Sequence, residues 1–240
     1  GRRQDRILES ELNVGQELSN DYELSKIQAE EFLRASSAIE NLTVFRPSII
    51  VGDSETGFTT TFHGFYAALR LAHTIRQMVD PGMLEGERIN VRINLDGDER
   101  KNLVPVDWVS AVMAHIVATP ELAGETYHLT SETPITSHAI HEVIEAACDL
   151  RGTTQMIGSE VTLEQPSEIE RLFYDSMQVY DAYWRNDPEF DSRNVNRVAP
   201  QFPCPVIDQD RLLLLAKTAI AQNFRWNDLP NKKISVDHQV

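Results

Sequence analysis

No apolar run in this 240-residue chain approaches the roughly 20 residues that a bilayer-spanning helix needs; the longest, LLLLA at Leu212–Ala216, is far shorter. No membrane partner is therefore expected. Cysteine is scarce. Cys148 and Cys204 are the two present, and neither lies in a Cys-x-x-Cys pair or a Cys/His cluster. That excludes a disulfide framework and reads as free or buried thiols of a reducing compartment, the cytoplasm. Positive charge is also short: 22 Lys and Arg against 37 Asp and Glu leave a net charge of −15. With no basic stripe, a phosphate backbone would be repelled, and nucleic acid is not an expected partner. The opening, GRRQDRILESE, is charged and lacks the apolar core of a secretory leader. Metal ligands are few. His138 and His141 share a helix face in HAIHE, but a closed site wants four ligands, so no metal is expected.

What the chain does have is an alternation of helices and short apolar strands. A helix is expected over about Asp21–Ala38. LTVFRPSIIVG (Leu42–Gly52) follows, a β-branched run ended by glycine that reads as a buried strand. A long helix is expected at Thr59–Val79, a strand at Ile89–Asn94, a helix after NLVPVD, a strand at Gly124–Thr130 and a helix in TSHAIHEVIEAAC. Asp107 is expected to cap its helix by accepting backbone N–H bonds. Beyond residue 150 the tail changes character. An aromatic helix is expected at Ser167–Arg185, a proline-rich link after it, a helix at Asp208–Phe224 and frayed last residues. The fold class expected is α/β, a partial doubly wound parallel sheet, with 1–150 as its main body and 151–240 as a mostly helical extension.

Within the first helix, NDYELSKIQAEEFL sets Tyr22 and Lys26 four residues apart, on one helix face. A phenol is a poor acid or base at neutral pH, and a nearby ammonium favours its phenolate. Such a pair can move a proton to or from a carbinol oxygen. The spacing is common by chance, and an exposed polar pair would look the same.

The surroundings carry more information. YELSKIQAEEFL, RPSIIVGDSETG and RKNLVPVDWVSAVMAHI, in this order, resemble the extended short-chain dehydrogenase/reductase family, in particular its thioester and fatty-acyl reductase branch. The resemblance covers about Asn20 to Thr130. It implies NADP or NAD as cofactor and a small carbonyl or acyl-thioester substrate. Tyr22 would give a proton to the carbonyl oxygen, and Lys26 would also hold the nicotinamide ribose. Pro47, Ser48 and Ile49 would line the nicotinamide side, although Pro47 also suits a strand end, where it stops sheet pairing. Phe62, His63 and Tyr66 in TFHGFY would sit near the substrate, although helix packing explains them equally well.

A dinucleotide-binding fold needs a glycine-rich turn against the pyrophosphate. The eleven glycines are scattered, and no Gly-x-Gly-x-x-Gly or Gly-x-x-Gly-x-x-Gly spacing exists. No Ser or Thr follows an apolar strand ahead of Tyr22. The chain is thus expected to be the C-terminal part of a longer reductase, lacking the N-terminal nucleotide-binding half and inactive alone. A homodimer, or the missing half itself, would be its macromolecular partner. A nucleotide-sugar epimerase or dehydratase shares the same helix and is the alternative, as is a reductase-like interaction module without catalysis.

Overall fold

The computed structural model describes residues 3, 5–78, 91–150, 152, 154–178 and 184–225. The expected frayed last residues lie outside them. Helix α1, Asp21–Ala35, starts where Asn20 in extended conformation accepts the Glu23 N–H, with Asp21 and Glu23 suiting the positive end of the helix dipole. The segment expected as one buried strand is split. Strand β1, Val44–Pro47, and strand β2, Ile49–Val51, are separated by Ser48. It is also less buried than expected: Val44–Arg46 are half-buried, Pro47 is exposed, and Ile50 is 44% exposed. Helix α1, tied to β1 through Arg46, buries none of its own residues.

Helix α2 is Phe65–Met78, not Thr59 onward. Thr59 and Thr61 bond each other instead of the helix, through Thr59 Oγ1, and Gly64 at φ +53 turns the chain into the helix. Strand β3 is Val91–Ile93; residues 79, 89 and 90 of the expected elements lie outside the described residues. Strands β4, Arg100–Lys101, and β5, Leu103–Pro105, flank Asn102 and lead into helix α3, Val106–Val117. Strands β6, Thr126–Leu129, and β7, Ile135–Thr136, precede helix α4, Ser137–Cys148, which Thr136 caps. Strand β8, Thr154–Met156, follows. Helix α5, Glu168–Met177, opens on a reciprocal capping box of Ser167 and Glu170; residues 179–183 of the expected aromatic helix lie outside the described set. The proline-rich link, expected as loop, contains a short helix α6, Arg193–Val198, and helix α7 spans Gln209–Ala221 behind its Asp208 cap.

Among the described residues, β1 pairs in parallel with β6, β2 with β5, and β3 with β8; β4 and β7 pair antiparallel. This is the expected α/β class with parallel pairing. Strand β5 shows why it is covered on both sides. Leu103 joins one apolar cluster with α2, α4 and α7, while Val104 joins another with Trp108, Val112 and Ile116 of α3 and Tyr127 and Leu129 of β6. Neighbouring residues of a strand face opposite ways, so a strand buried on both faces reads as an unbroken apolar run.

Candidate active site

Tyr22 and Lys26 lie on one face of α1, with Lys26 Nζ 5.3 Å from the centre of the Tyr22 ring. Both are exposed, Tyr22 by 60%. Where this face sits is fixed further along the helix. Arg34 donates to Thr126 Oγ1 at 2.6 Å, and Thr126 is the β6 partner of Val44. One turn earlier, Glu30 is gripped at both oxygens by Arg46 of β1, through Nε at 3.0 Å and Nη2 at 2.6 Å. Helix α1 therefore runs antiparallel to β1. Tyr22, eight residues before Glu30, stands roughly 12 Å further along, at 1.5 Å per residue. That is about three to four strand residues past Arg46, beyond the C-terminal end of β1, with Lys26 between.

The clamp on α1 is supported from behind. Arg46 Nη1 donates to the Glu11 carbonyl at 2.7 Å and meets His128 Nε2 at 3.2 Å. His128 Nδ1 donates to the Asp191 carbonyl at 2.9 Å, which leaves Nε2 as the acceptor for Arg46. Burial, and next the Arg46 charge, push His128 down to about 4, so it stays neutral. Burial pushes the Glu30 carboxyl up, but hydrogen bonds from Arg46 and Arg34 outweigh it and hold it below the ordinary carboxylate range. Glu9 is 4% exposed beneath this group; it accepts N–H bonds from His128 and Asn194, and burial raises its value.

Ser48 stands where the strand changes partner. Its N–H still bonds the Leu129 carbonyl of β6, while the next N–H, of Ile49, bonds the Asn102 carbonyl beside β5. Asn102 joins the parted strands. Its Oδ1 accepts from Ser48 Oγ and from the Ser131 N–H, each at 2.8 Å, and its Nδ2 donates to the Ser131 carbonyl at 2.8 Å. No sequence motif singles out Asn102. A polar residue inside RKNLVPV was the signal.

Asp107 does not cap α3: Pro105 holds the cap position, and no side chain caps it. The Asp107 carboxylate instead accepts from Ser54, from N–H at 2.9 Å and from Oγ at 2.7 Å, tying down the loop after β2. Phe62, His63 and Tyr66 separate. His63 is exposed, Phe62 is half-buried against the Tyr66 and Phe224 rings, and Tyr66 is 1% exposed, its hydroxyl accepting the Gly52 N–H at 3.0 Å. Burial pushes the Tyr66 hydroxyl up to about 12. His138 and His141 share a face of α4, their rings 6.5 Å apart; among the described residues no group of three possible ligands gathers. Burial pushes the Cys148 thiol up to about 11 and Cys204 up to about 12; both are free.

Residues 1–113 match the profile of the family described as "Male sterility protein", an NAD-binding family. A nonribosomal peptide synthetase of Aspergillus hancockii is 26% identical over 206 residues, covering 78% of this chain and 19% of its own length. An aldehyde reductase of Aspergillus flavus is 32% identical over 147 residues, 61% of this chain and 12% of its own. The chain thus spans less than a fifth of the length of either relative. The crystal structure of the terminal R domain from the myxalamid biosynthetic pathway superposes with a TM-score of 0.67 at 19% identity, over 94% of this chain and 56% of that one, a likeness of fold. The Tyr22–Lys26 helix and strand β1, to which it is tied, lie in the matched segment, so this part of the chain is similar to that NAD-binding family.

Proposed function

We propose that this chain supplies the proton-transfer side of an NAD(P)-dependent reductase acting on a carbonyl or acyl-thioester substrate. One observation carries the reading. Lys26 Nζ lies over the Tyr22 ring on one solvent-exposed face of α1, in the helix half that the antiparallel run carries toward the C-terminal end of β1. A phenol and an ammonium are the donors that a ribose diol and a substrate carbonyl would take. The residues present fit the nicotinamide–ribose end of a dinucleotide; a glycine-rich turn for the pyrophosphate is not in this sequence.

When bound, reduced nicotinamide supplies the hydride. Tyr22 then gives its hydroxyl proton to the carbonyl oxygen as charge develops there. Lys26 holds the ribose and, beside the phenol, stabilises its deprotonated form until solvent returns the proton. Pro47 has no N–H and Ser48 sits at the parting of two strands, so this stretch can line the nicotinamide side without breaking a ladder. Phe62 and His63 remain candidates for the substrate side; Tyr66 serves it only through packing.

The test is steady-state kinetics on a protein containing this chain together with a dinucleotide-binding half. Tyr22→Phe should lower kcat by about 100- to 10,000-fold while cofactor affinity stays near normal. Lys26→Ala should damage both. Near wild-type turnover for Tyr22→Phe would refute the assignment.

A further inference from the structure

His128 lies within β6 and is 2% exposed. The Phe190 ring stands edge-on to it, 5.8 Å away. Both ring nitrogens face groups of fixed polarity. Nδ1 is 2.9 Å from the Asp191 carbonyl, which can only accept. Nε2 is 3.2 Å from Arg46 Nη1, which can only donate. The ring is therefore neutral, with its proton on Nδ1 and a lone pair on Nε2 directed at Arg46. A second proton, on Nε2, would meet a guanidinium instead of an acceptor.

The charged groups around the ring come from every side. Strand β1 supplies Arg46, and α1 supplies Glu30 behind it, 2.6 Å from Arg46 Nη2. The segment before α1 supplies Glu9, which accepts the His128 backbone N–H at 3.0 Å. The segment leading into α6 supplies Asp191, whose carboxylate is held by Arg193 at 2.8 Å and by Arg6 at 3.2 Å. Both Glu30 and Asp191 thus already serve arginines. Burial, and next the Arg46 charge, disfavour an imidazolium; Asp191 and Glu30 favour it less strongly, and the balance falls at about 4.

Two contacts connect this ring to α1: His128 with Arg46, and Arg46 with Glu30. The helix buries none of its own residues, so apolar packing adds little to that attachment. We propose that His128 is an acid-sensitive switch for α1: a proton taken from solvent at Nε2 removes the acceptor of Arg46, sets two cations face to face and loosens the grip on Glu30, so that the helix carrying Tyr22 and Lys26 opens while the rest of the fold stays closed. The switch goes beyond the reductase reading and does not depend on it, since it needs neither substrate nor cofactor.

With α1 in place the ring takes up its proton near 4; freed of its surroundings it does so at its ordinary value of 6.5. Between these values the open form holds a proton that the closed form does not, so acid favours opening. Full recovery of the ordinary value would raise the open fraction about 20-fold from pH 7 to pH 5, and partial recovery, with β6 still folded, at least about fivefold. Glu30 stays ionised across this window: burial raises its value, but the bonds from Arg46 and Arg34 outweigh it and hold it below 4.5. Glu9, whose value burial raises, works against opening, because its proton binds more readily in the closed form.

Hydrogen-exchange mass spectrometry on this chain at pH 7 and pH 5 tests the switch, with each rate divided by the intrinsic rate at that pH. Protection of Asp21–Ala35 should fall at least about fivefold. Protection of α7, which holds no histidine, should change less than about twofold. His128→Gln offers Arg46 a neutral acceptor and takes up no proton, so α1 should be protected equally at both pH values. Arg46→Gln removes the opposing cation and the charged grip, so α1 should exchange fast at both. If either variant fails to fold, nitrogen-15 NMR of the parent ring decides. His128 should show the Nδ1–H tautomer at pH 7 and a titration midpoint below about 5. Unchanged protection of α1 at pH 5, an equal loss in α7, the same acid response in His128→Gln, or a His128 ring that titrates at its ordinary value would overturn the proposal.

Discussion

Glu30→Gln should loosen α1 while leaving the rest of the fold in place. Because α1 buries none of its residues, apolar burial contributes little to its attachment. What holds it is the Glu30 carboxylate, bonded to Arg46 twice and to Arg34 at 2.8 Å. The Glu30 and Arg46 side chains are 12% and 21% exposed, between a surface pair and a buried one. A surface pair contributes about 0–1 kcal/mol, and removing one partner of a buried pair costs about 3–5 kcal/mol. The expected cost here is about 2 kcal/mol. Glutamine keeps the shape and one acceptor oxygen, so the loss is of charge and of the second grip. At a factor of ten per 1.4 kcal/mol, amide exchange across Asp21–Ala35 should quicken about 25-fold. Hydrogen-exchange mass spectrometry reads this peptide by peptide, with fully buried β6 as the internal reference. Unchanged exchange in α1, or an equal rise in β6, would refute the idea that this clamp sets the helix.

Three further outcomes follow from buried contacts. Tyr66→Phe should cost about 1–3 kcal/mol in thermal denaturation, because the Gly52 N–H is left buried without its acceptor. Asn102→Ala removes three side-chain hydrogen bonds inside a 5%-exposed site and should cost about 3 kcal/mol at about 1 kcal/mol each; a melting temperature unchanged within error would show that the parted strands hold without it. Glu170 is held down to about 2, first by hydrogen bonds from Arg92. Its contribution to stability is complete above its ordinary value of 4.5 and is lost as pH falls toward 2. Glu170→Gln should therefore flatten the loss of stability between pH 5 and pH 2.5, followed by circular dichroism.

Local chemistry was legible in the sequence, and distant partnership was not. The start of α1 could be read from Asn20 and the acidic first turn, and strands at Val44–Pro47 and Thr126–Leu129 from two apolar runs in an α/β order. Asp107 looked like a cap because an acid in a first turn usually is one, yet its partner Ser54 lies 53 residues upstream. Helix α6 looked like loop because one of its first amides is satisfied by Glu9, 185 residues away. The open face of β1 was hidden for the same reason: an apolar run shows that burial would be favourable, not which element covers it.

The split of the strand at Ser48 ties the fold to its chemistry. In an open α/β sheet, ligands bind in the crevice beyond the carboxyl ends of the strands, where neighbouring connections part. Here one run of chain, Val44–Val51, pairs with β6 in its first half and with β5 in its second. The change of partner falls between the Ser48 N–H, which bonds Leu129, and the Ile49 N–H, which bonds Asn102. Asn102 spans the gap with side-chain bonds in place of the missing backbone ones. Proline at position 47 fits this place, since a residue without an N–H loses nothing where a ladder ends. The antiparallel run of α1, set by Glu30 on Arg46 and Arg34 on Thr126, then carries its first turns, with Tyr22 and Lys26, toward the C-terminal end of β1. The group of Arg46, His128 and Asp191, with His128 and Asp191 buried, is for that reason part of what sets the course of α1.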